Sequence, residues 1–402
     1  MSVLNVLYAA NPEMPVPVGR LAMHRGRIYF EYDAAFLQSG LELSPFRLPL
    51  KPVAVTAEPA PWQGLFGLFS DSLPDGWGLL LMDRHLRSLG VDTRYLTPLD
   101  RLAYIGHRAM GALIYEPATG IAADSPEIDL AAMAASAIEV YEGHASDLLP
   151  RLARAGGSPA GARPKILVHL LGERLLSGEI EPPAGCESWV VKFFSGREHA
   201  DTGRIEYAYS LMAREAGIEM PPTRLFDDGE GHSWFGVRRF DRQGAKRMHM
   251  HTLGGLVDAD FRLPSLDYVD LLKVTRALTR NAAEVERAFA LMAFNVLAHN
   301  RDDHSKNFSY LMDEHGEWRL APAYDLTCST GINGEHTTAV AGEGRNPGVA
   351  EILKAGEAVG LKAKHMRPIV DRVRNAIERW PDWCEQAGIR AAEHRFPPLL
   401  HH

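Results

Sequence analysis

Residues 300–309 read Asn-Arg-Asp-Asp-His-Ser-Lys-Asn-Phe-Ser, and a Tyr324–Asp325 pair follows after a strand-length interval. The short segment offers a carboxylate, basic side chains and an amide; the later aspartate adds a second carboxylate. Phosphoryl transfer needs such a set. One carboxylate orients a hydroxyl, and an amide with a second carboxylate holds a divalent cation against nucleotide phosphates. On this reading Asp302 aligns the acceptor hydroxyl, with Asp303 as its local rival. Lys306, with His304 beside it, neutralises charge on the transferring phosphate. Asn307 and Asp325 supply the hard oxygen donors that Mg2+ prefers.

The Asp-x4-Asn spacing from Asp302 to Asn307 is the one kinase catalytic loops use, with a metal-binding Asp later in the chain. Several elements must position these groups. Val285, Phe289, Met292 and Val296 recur at helical spacing and predict a helix that delivers the chain into the 300–309 loop. Residues 189–194, Trp-Val-Val-Lys-Phe-Phe, predict a strand carrying Lys192. A lysine there either reaches an edge or finds an anionic partner. Glu206, on the first turn of a helix predicted over 205–216, is the candidate partner; an outward-facing lysine on a half-exposed strand is the other reading. A strand Lys paired to a helix Glu is how kinases hold the α/β-phosphates.

Residues 156–161, Gly-Gly-Ser-Pro-Ala-Gly, precede that strand. Backbone N–H groups of Gly157, Ser158 and Gly161 can point at phosphates from such a loop, and Arg163 and Lys165 add positive charge. The loop lacks the Gly-Lys-Ser/Thr of a Walker A motif, and a plain linker has the same composition.

The remaining pattern gives an α+β chain in three parts. Residues 1–115 read as a small α+β unit with a strand over 27–32 and a helix after Pro74, whose apolar positions are Leu79, Leu80, Met82 and Leu86. Residues 116–245 carry a connection over 116–135, a helix over 138–152, the Gly-rich loop and the Lys strand. Residues 246–402 are mainly helical. At 402 residues, 46% hydrophobic and 23% charged, the composition is that of a globular protein. A net charge of −8 argues against a stand-alone nucleic-acid binder. Three cysteines without CxxC spacing fit a reducing cytosol. The apolar run around 288–298 is too short to span a bilayer, and no amphipathic or polybasic membrane segment is visible. A cytoplasmic protein is expected. His249 and His251 lack further ligands at metal spacing and read as ordinary hydrogen-bonding histidines.

The order of these elements resembles the HipA family of serine/threonine kinase toxins over nearly the full length. The match is strongest at Asp302-x-His304-x-Lys306-Asn307-Phe308-Ser309 and Tyr324–Asp325. Asp71–Gly78 and Pro98–Leu102 are similar to that family's N-terminal subdomain. The resemblance implies a two-lobed protein-kinase-like fold with a β-rich N-terminal subdomain and a helical C-terminal lobe. It implies ATP and Mg2+ as cofactors, with Lys192 and Lys165 as nucleotide contacts. It places Ser158 at the family's autophosphorylated serine, whose modification switches the kinase off. Residues 237–242 resemble the hinge against adenine, which brings Arg239, Phe240 and Asp241 to the nucleotide; Arg238 departs from the acidic residue of some relatives. The implied substrate is an aminoacyl-tRNA synthetase, commonly glutamyl-tRNA synthetase. The implied partner is a helix-turn-helix antitoxin of HipB type, through which alone DNA is met. A lipid or small-molecule kinase, and an inactive kinase-like co-repressor, are the alternatives.

Overall fold

The computed structural model describes residues 3–119, 127–156, 161–194, 201–228, 231–389 and 396. Strands Val55–Thr56, Arg27–Tyr32, Val16–His24, Val3–Tyr8 and Leu113–Glu116 form an antiparallel sheet in that order. Successive strand side chains point to opposite faces, so Val3–Tyr8 sends Leu4, Val6 and Tyr8 inward and leaves Val3 and Asn5 exposed. These side chains pack with Phe30, Phe66 and Phe69 in one core. Each such burial is worth about 1.5–3 kcal/mol before entropy is counted.

The helix after Pro74 spans Gly76–Ser88, but its inward face is Trp77, Leu81, Met82 and His85. Leu79, Leu80 and Leu86 are only half-buried, so the expected stripe is rotated. The cause is Trp77, whose ring is 1% exposed and whose Nε1 donates to the Lys165 carbonyl at 2.9 Å. That contact fixes the helix about its axis. The single helix expected over 138–152 is two helices, Leu130–Glu142 and Leu149–Ala155. Gly143, at φ 100°, ends the first in the left-handed region that favours glycine.

A second five-stranded antiparallel sheet has the order Arg174–Ser177, Lys165–Leu171, Glu187–Lys192, Ser233–Arg238 and Thr223–Asp227. The helix Thr202–Glu215 packs against it and buries Ile205, Ala208, Tyr209 and Met212, the face its periodicity predicts. The C-terminal part is helical, as expected. It also contains a three-stranded sheet, His249–Thr252, Ser309–Met312 and Trp318–Leu320, whose last two strands fill the interval between the two acidic motifs. At its centre lies the helix Ala282–Leu297, in which Val285, Phe289, Met292 and Val296 are buried and so are Leu291 and Phe294. A helix apolar on more than one face must be enclosed, and neighbouring helices Tyr268–Thr279 and Ala363–Glu378 enclose it. This rigid centre sets where the following loop begins. Among the described residues no helix is long and apolar enough to cross a membrane.

Candidate active site

Lys192 ends the middle strand of the second sheet, aligned with Lys165 on one side and Phe235 on the other. Both lysines are buried, at 8% and 4% exposure. Ammonium groups removed from water need anions. Lys192 Nζ bonds the Glu206 carboxylate, and donates to Asp325 Oδ1 at 2.5 Å. Arg163 holds the other oxygen of Glu206 at 3.1 Å. The helix begins at Thr202, so Glu206 lies in its second turn rather than its first.

Charge and burial compete here. Burial pushes the Lys192 ammonium down, but Asp325 and Glu206 overcome it and raise its pKa. Burial pushes the Asp325 carboxyl up, but Lys192 and Lys165 hold it well below the usual carboxylate range. Lys165 loses the same contest. Burial and the neighbouring Lys192 charge outweigh Asp325, and its pKa falls to about 8. Asp325 itself adopts φ 56°, a left-handed conformation that non-glycine residues seldom take away from functional sites.

The two aspartates after Arg301 separate. Asp303 is fully buried and accepts from Tyr268 Oη (2.8 Å), His336 Nδ1 (2.8 Å) and the Thr337 and Thr338 amides (2.8 and 3.2 Å). Its lone pairs are committed to these donors. Asp302 is exposed, and no described side chain hydrogen-bonds its carboxylate. Partial burial raises its pKa; Asp325 and Asp303 repel its charge, and His304 draws the other way. Asn307 donates Nδ2 to the Asp302 carbonyl at 2.7 Å, which turns Oδ1 away from that contact. Tyr324 Oη donates to the Lys306 carbonyl at 2.6 Å and meets Ser309 Oγ at 2.6 Å. These bonds tie the loop to the segment carrying Asp325.

Lys306 is 6% exposed, with its ammonium 4.6 Å from the Phe261 ring centre and 5.7 Å from that of Trp62. Its carboxylate partner is Asp75, at 3.0 Å. His304 packs its ring 5.5 Å from Phe261, and its buried Nδ1 has no partner among the described residues.

One cleft, about 1060 Å³ with its mouth included, gathers Lys165, Lys192, Arg239, Phe240, Asp241, Lys306, Asn307 and Asp325. Its apolar wall includes Leu68, Met110 and Val190. Phe240 lies 5.5 Å from the Tyr324 ring. Asp241 reaches the cleft, but its carboxylate is taken up by Arg239 (2.9 and 2.8 Å), Arg242 (2.6 Å) and the Gly111 amide (2.7 Å). Gly161 stands at φ +107°, a backbone conformation that favours glycine, and a Cβ there would meet the flexible end of Lys165, Nζ at 2.5 Å. Gly157 and Ser158 lie outside the described residues.

Sequence reasoning missed Asp75 and Asp71. The signal was indirect: a lysine among aromatic residues needs a carboxylate, but nothing in the chain selects one from 51 acidic residues. Asp71 accepts from His251 Nδ1 (2.6 Å), the Thr252 amide (2.7 Å) and Thr252 Oγ1 (2.8 Å). His251 Nε2 meets Ser44 and His249 Nε2 meets the Leu43 carbonyl. Both histidines are thus hydrogen-bonded, and no metal-holding cluster of three or more His, Cys, Asp or Glu occurs among the described residues.

Residues 14–116 match the family model of the HipA N-terminal domain, and residues 157–380 match that of the HipA-like C-terminal domain. The chain belongs to the HipA family. Its fold is that of HipA in the complex of Shewanella oneidensis HipA, HipB and operator DNA: TM-score 0.68, 18% identity, covering 98% of this chain and 92% of that one. The two-lobed, kinase-like architecture with a strand-rich N-terminal region is therefore established. A Haemophilus influenzae protein named "Putative kinase" is 25% identical over 146 residues, 33% of this chain; the chain spans 43% of that relative's length. The Helicobacter pylori proinflammatory kinase CtkA is more distant, at TM-score 0.33 and 14% identity over 48% of this chain and 79% of that one.

The HipA-family cleft fits a phosphate-bound divalent cation. The available donors, Asn307 Oδ1 and an Asp325 carboxylate kept ionised, are oxygens, and both residues line this cleft. Two protein ligands suit Mg2+, which keeps waters and takes its other donors from phosphates.

Proposed function

We propose that the chain is an ATP- and Mg2+-dependent serine/threonine protein kinase. The observation that supports this most is the Lys192 ammonium shared between Glu206 and Asp325, on the wall of a cleft that Asn307 also lines. Lys192 and Lys165 bind the nucleotide phosphates, with Gly157 and Ser158 contributing backbone N–H groups, whereas the amide of Gly161 is committed to Asp75. The hinge residues Arg239 and Phe240 border the adenine end, and Asp241 fixes Arg239. Asn307 and Asp325 would hold Mg2+, which when bound would neutralise charge on the phosphates. Asp302 orients the acceptor hydroxyl and takes its proton as the oxygen attacks the γ-phosphorus; the bond to the ADP oxygen breaks and ADP leaves. Lys306 balances charge on the phosphoryl group in flight, and His304 backs the loop. Positioning and electrostatics carry the acceleration.

The acceptor proposed is a serine of an aminoacyl-tRNA synthetase, glutamyl-tRNA synthetase first, so that phosphorylation arrests translation. A HipB-type helix-turn-helix antitoxin is the proposed partner. The Shewanella relative is seen with HipB and operator DNA, which is what suggests it. Ser158 is proposed as the autophosphorylation site; its phosphate, carrying about −2 charge, would pair with Arg163 or Lys165 and hold the loop off the nucleotide. The test is γ-labelled ATP with a panel of purified synthetases. Label on one synthetase with wild type and none with Asp302→Ala is expected. Equal labelling by both removes Asp302 from its role.

A further inference from the structure

Lys306 and Gly161 lie on different parts of the chain, and both are held by one side chain from a third. Asp75 Oδ1 accepts from the Gly161 amide at 2.6 Å, and Asp75 Oδ2 pairs with Lys306 Nζ at 3.0 Å. The approach is close on every side. Trp77 donates its amide to the Gly161 carbonyl at 3.1 Å and its Nε1 to the Lys165 carbonyl at 2.9 Å. A Cβ on Gly76 would meet Ala162 Cα and the Gly161 carbonyl at 2.7 Å, so the two backbones touch. The Asp75 side chain is 14% exposed and that of Lys306 is 6% exposed, which shields the pair from solvent.

We infer that Asp75 is a positioning residue for phosphoryl transfer, coupling the end of the Gly-rich segment to the catalytic-loop lysine. This rests on the kinase reading above. Asp75 pairs with the Lys306 ammonium where it lies against the Trp62 and Phe261 rings, and so holds its rotamer. The same carboxylate fixes Gly161, whose backbone approaches Lys165. The strand-rich N-terminal region is thereby part of the catalytic geometry. A partner that shifts residues 71–77 would disengage Lys306 without touching the nucleotide.

The test uses the full chain with Mg·ATP, read as ADP formed. Asp75→Asn keeps an oxygen for the Gly161 amide and removes the charge facing Lys306. It should lower kcat about 10²-fold with KM for ATP within about threefold, because misplaced groups cost rate more than affinity. Asp75→Glu should recover most of the rate. In a Lys306→Met background Asp75→Asn should cost nothing more, since the two act as one unit. Wild-type rates in Asp75→Asn, or losses that multiply in the double variant, overturn the inference while leaving the kinase reading intact. A wild-type chain that forms no ADP overturns the kinase reading itself, and the inference falls with it.

Discussion

Asp241, just after the strand Ser233–Arg238, and Asp325 are cleft-lining carboxylates surrounded by cations, with opposite degrees of closure. Asp241 is 0% exposed, and its oxygens are filled by two arginines and a backbone amide. Asp325 keeps 30% of its side chain exposed, is held by a lysine, and carries a left-handed backbone. Arginine's planar fork fills a carboxylate and stays charged; a lysine is a point charge that can exchange partners. The first arrangement is sealed and holds a turn in place. On the proposed kinase reading, the second would let Lys192 trade Asp325 for a phosphate, and Asp325 trade Lys192 for a cation. Asp302 and Asp303 repeat the contrast one residue apart.

The comparison can be broken by removing each carboxylate. Asp325→Ala should cut γ-phosphate transfer about 10³-fold, the scale of losing a principal charge-stabilising group, while the melting temperature holds. A melting temperature that collapses instead would make Asp325 structural. Asp241→Ala should act on stability. It strands buried guanidinium groups, so the chain should lose about 3–5 kcal/mol of stability in denaturant melts, where Asp325→Ala loses little.

Acid sharpens the difference. The arginines hold the Asp241 pKa well below the usual range despite burial. Its stabilisation is therefore complete above the unfolded value of about 3.9 and is lost as pH falls below it. Wild type should lose stability more steeply than Asp241→Asn below that pH. Asp302 shifts upward, so its acid limb in kcat/KM should lie above about 3.9, with activity lost as pH falls through it. The smallest expected effect is at Lys165. With its pKa near 8, affinity for Mg-free ATP should weaken several-fold as pH rises through about 8, and Lys165→Arg should flatten that slope.

Much of this site was legible in the sequence because its parts are local. Asp302 to Asn307 lie in one loop, and the helix before it shows its buried face at Val285, Phe289, Met292 and Val296. The Lys192–Glu206 pairing could be anticipated because a strand lysine needs an anion and the next helix offers one. The helix rotation after Pro74 could not, because it depends on Trp77 reaching a carbonyl 88 residues away in the chain. The Asp75–Lys306 pair, separated by 231 residues, is hidden for the same reason: sequence gives a lysine's need but not which distant carboxylate meets it.

The most direct measurement is a crystal structure with Mn2+ and a non-hydrolysable ATP analogue. An anomalous peak bridging Asn307, Asp325 and the phosphates, with Lys192 turned onto the phosphates, is predicted. A nucleotide bound elsewhere, with Lys192 still closed on Asp325, would contradict the account.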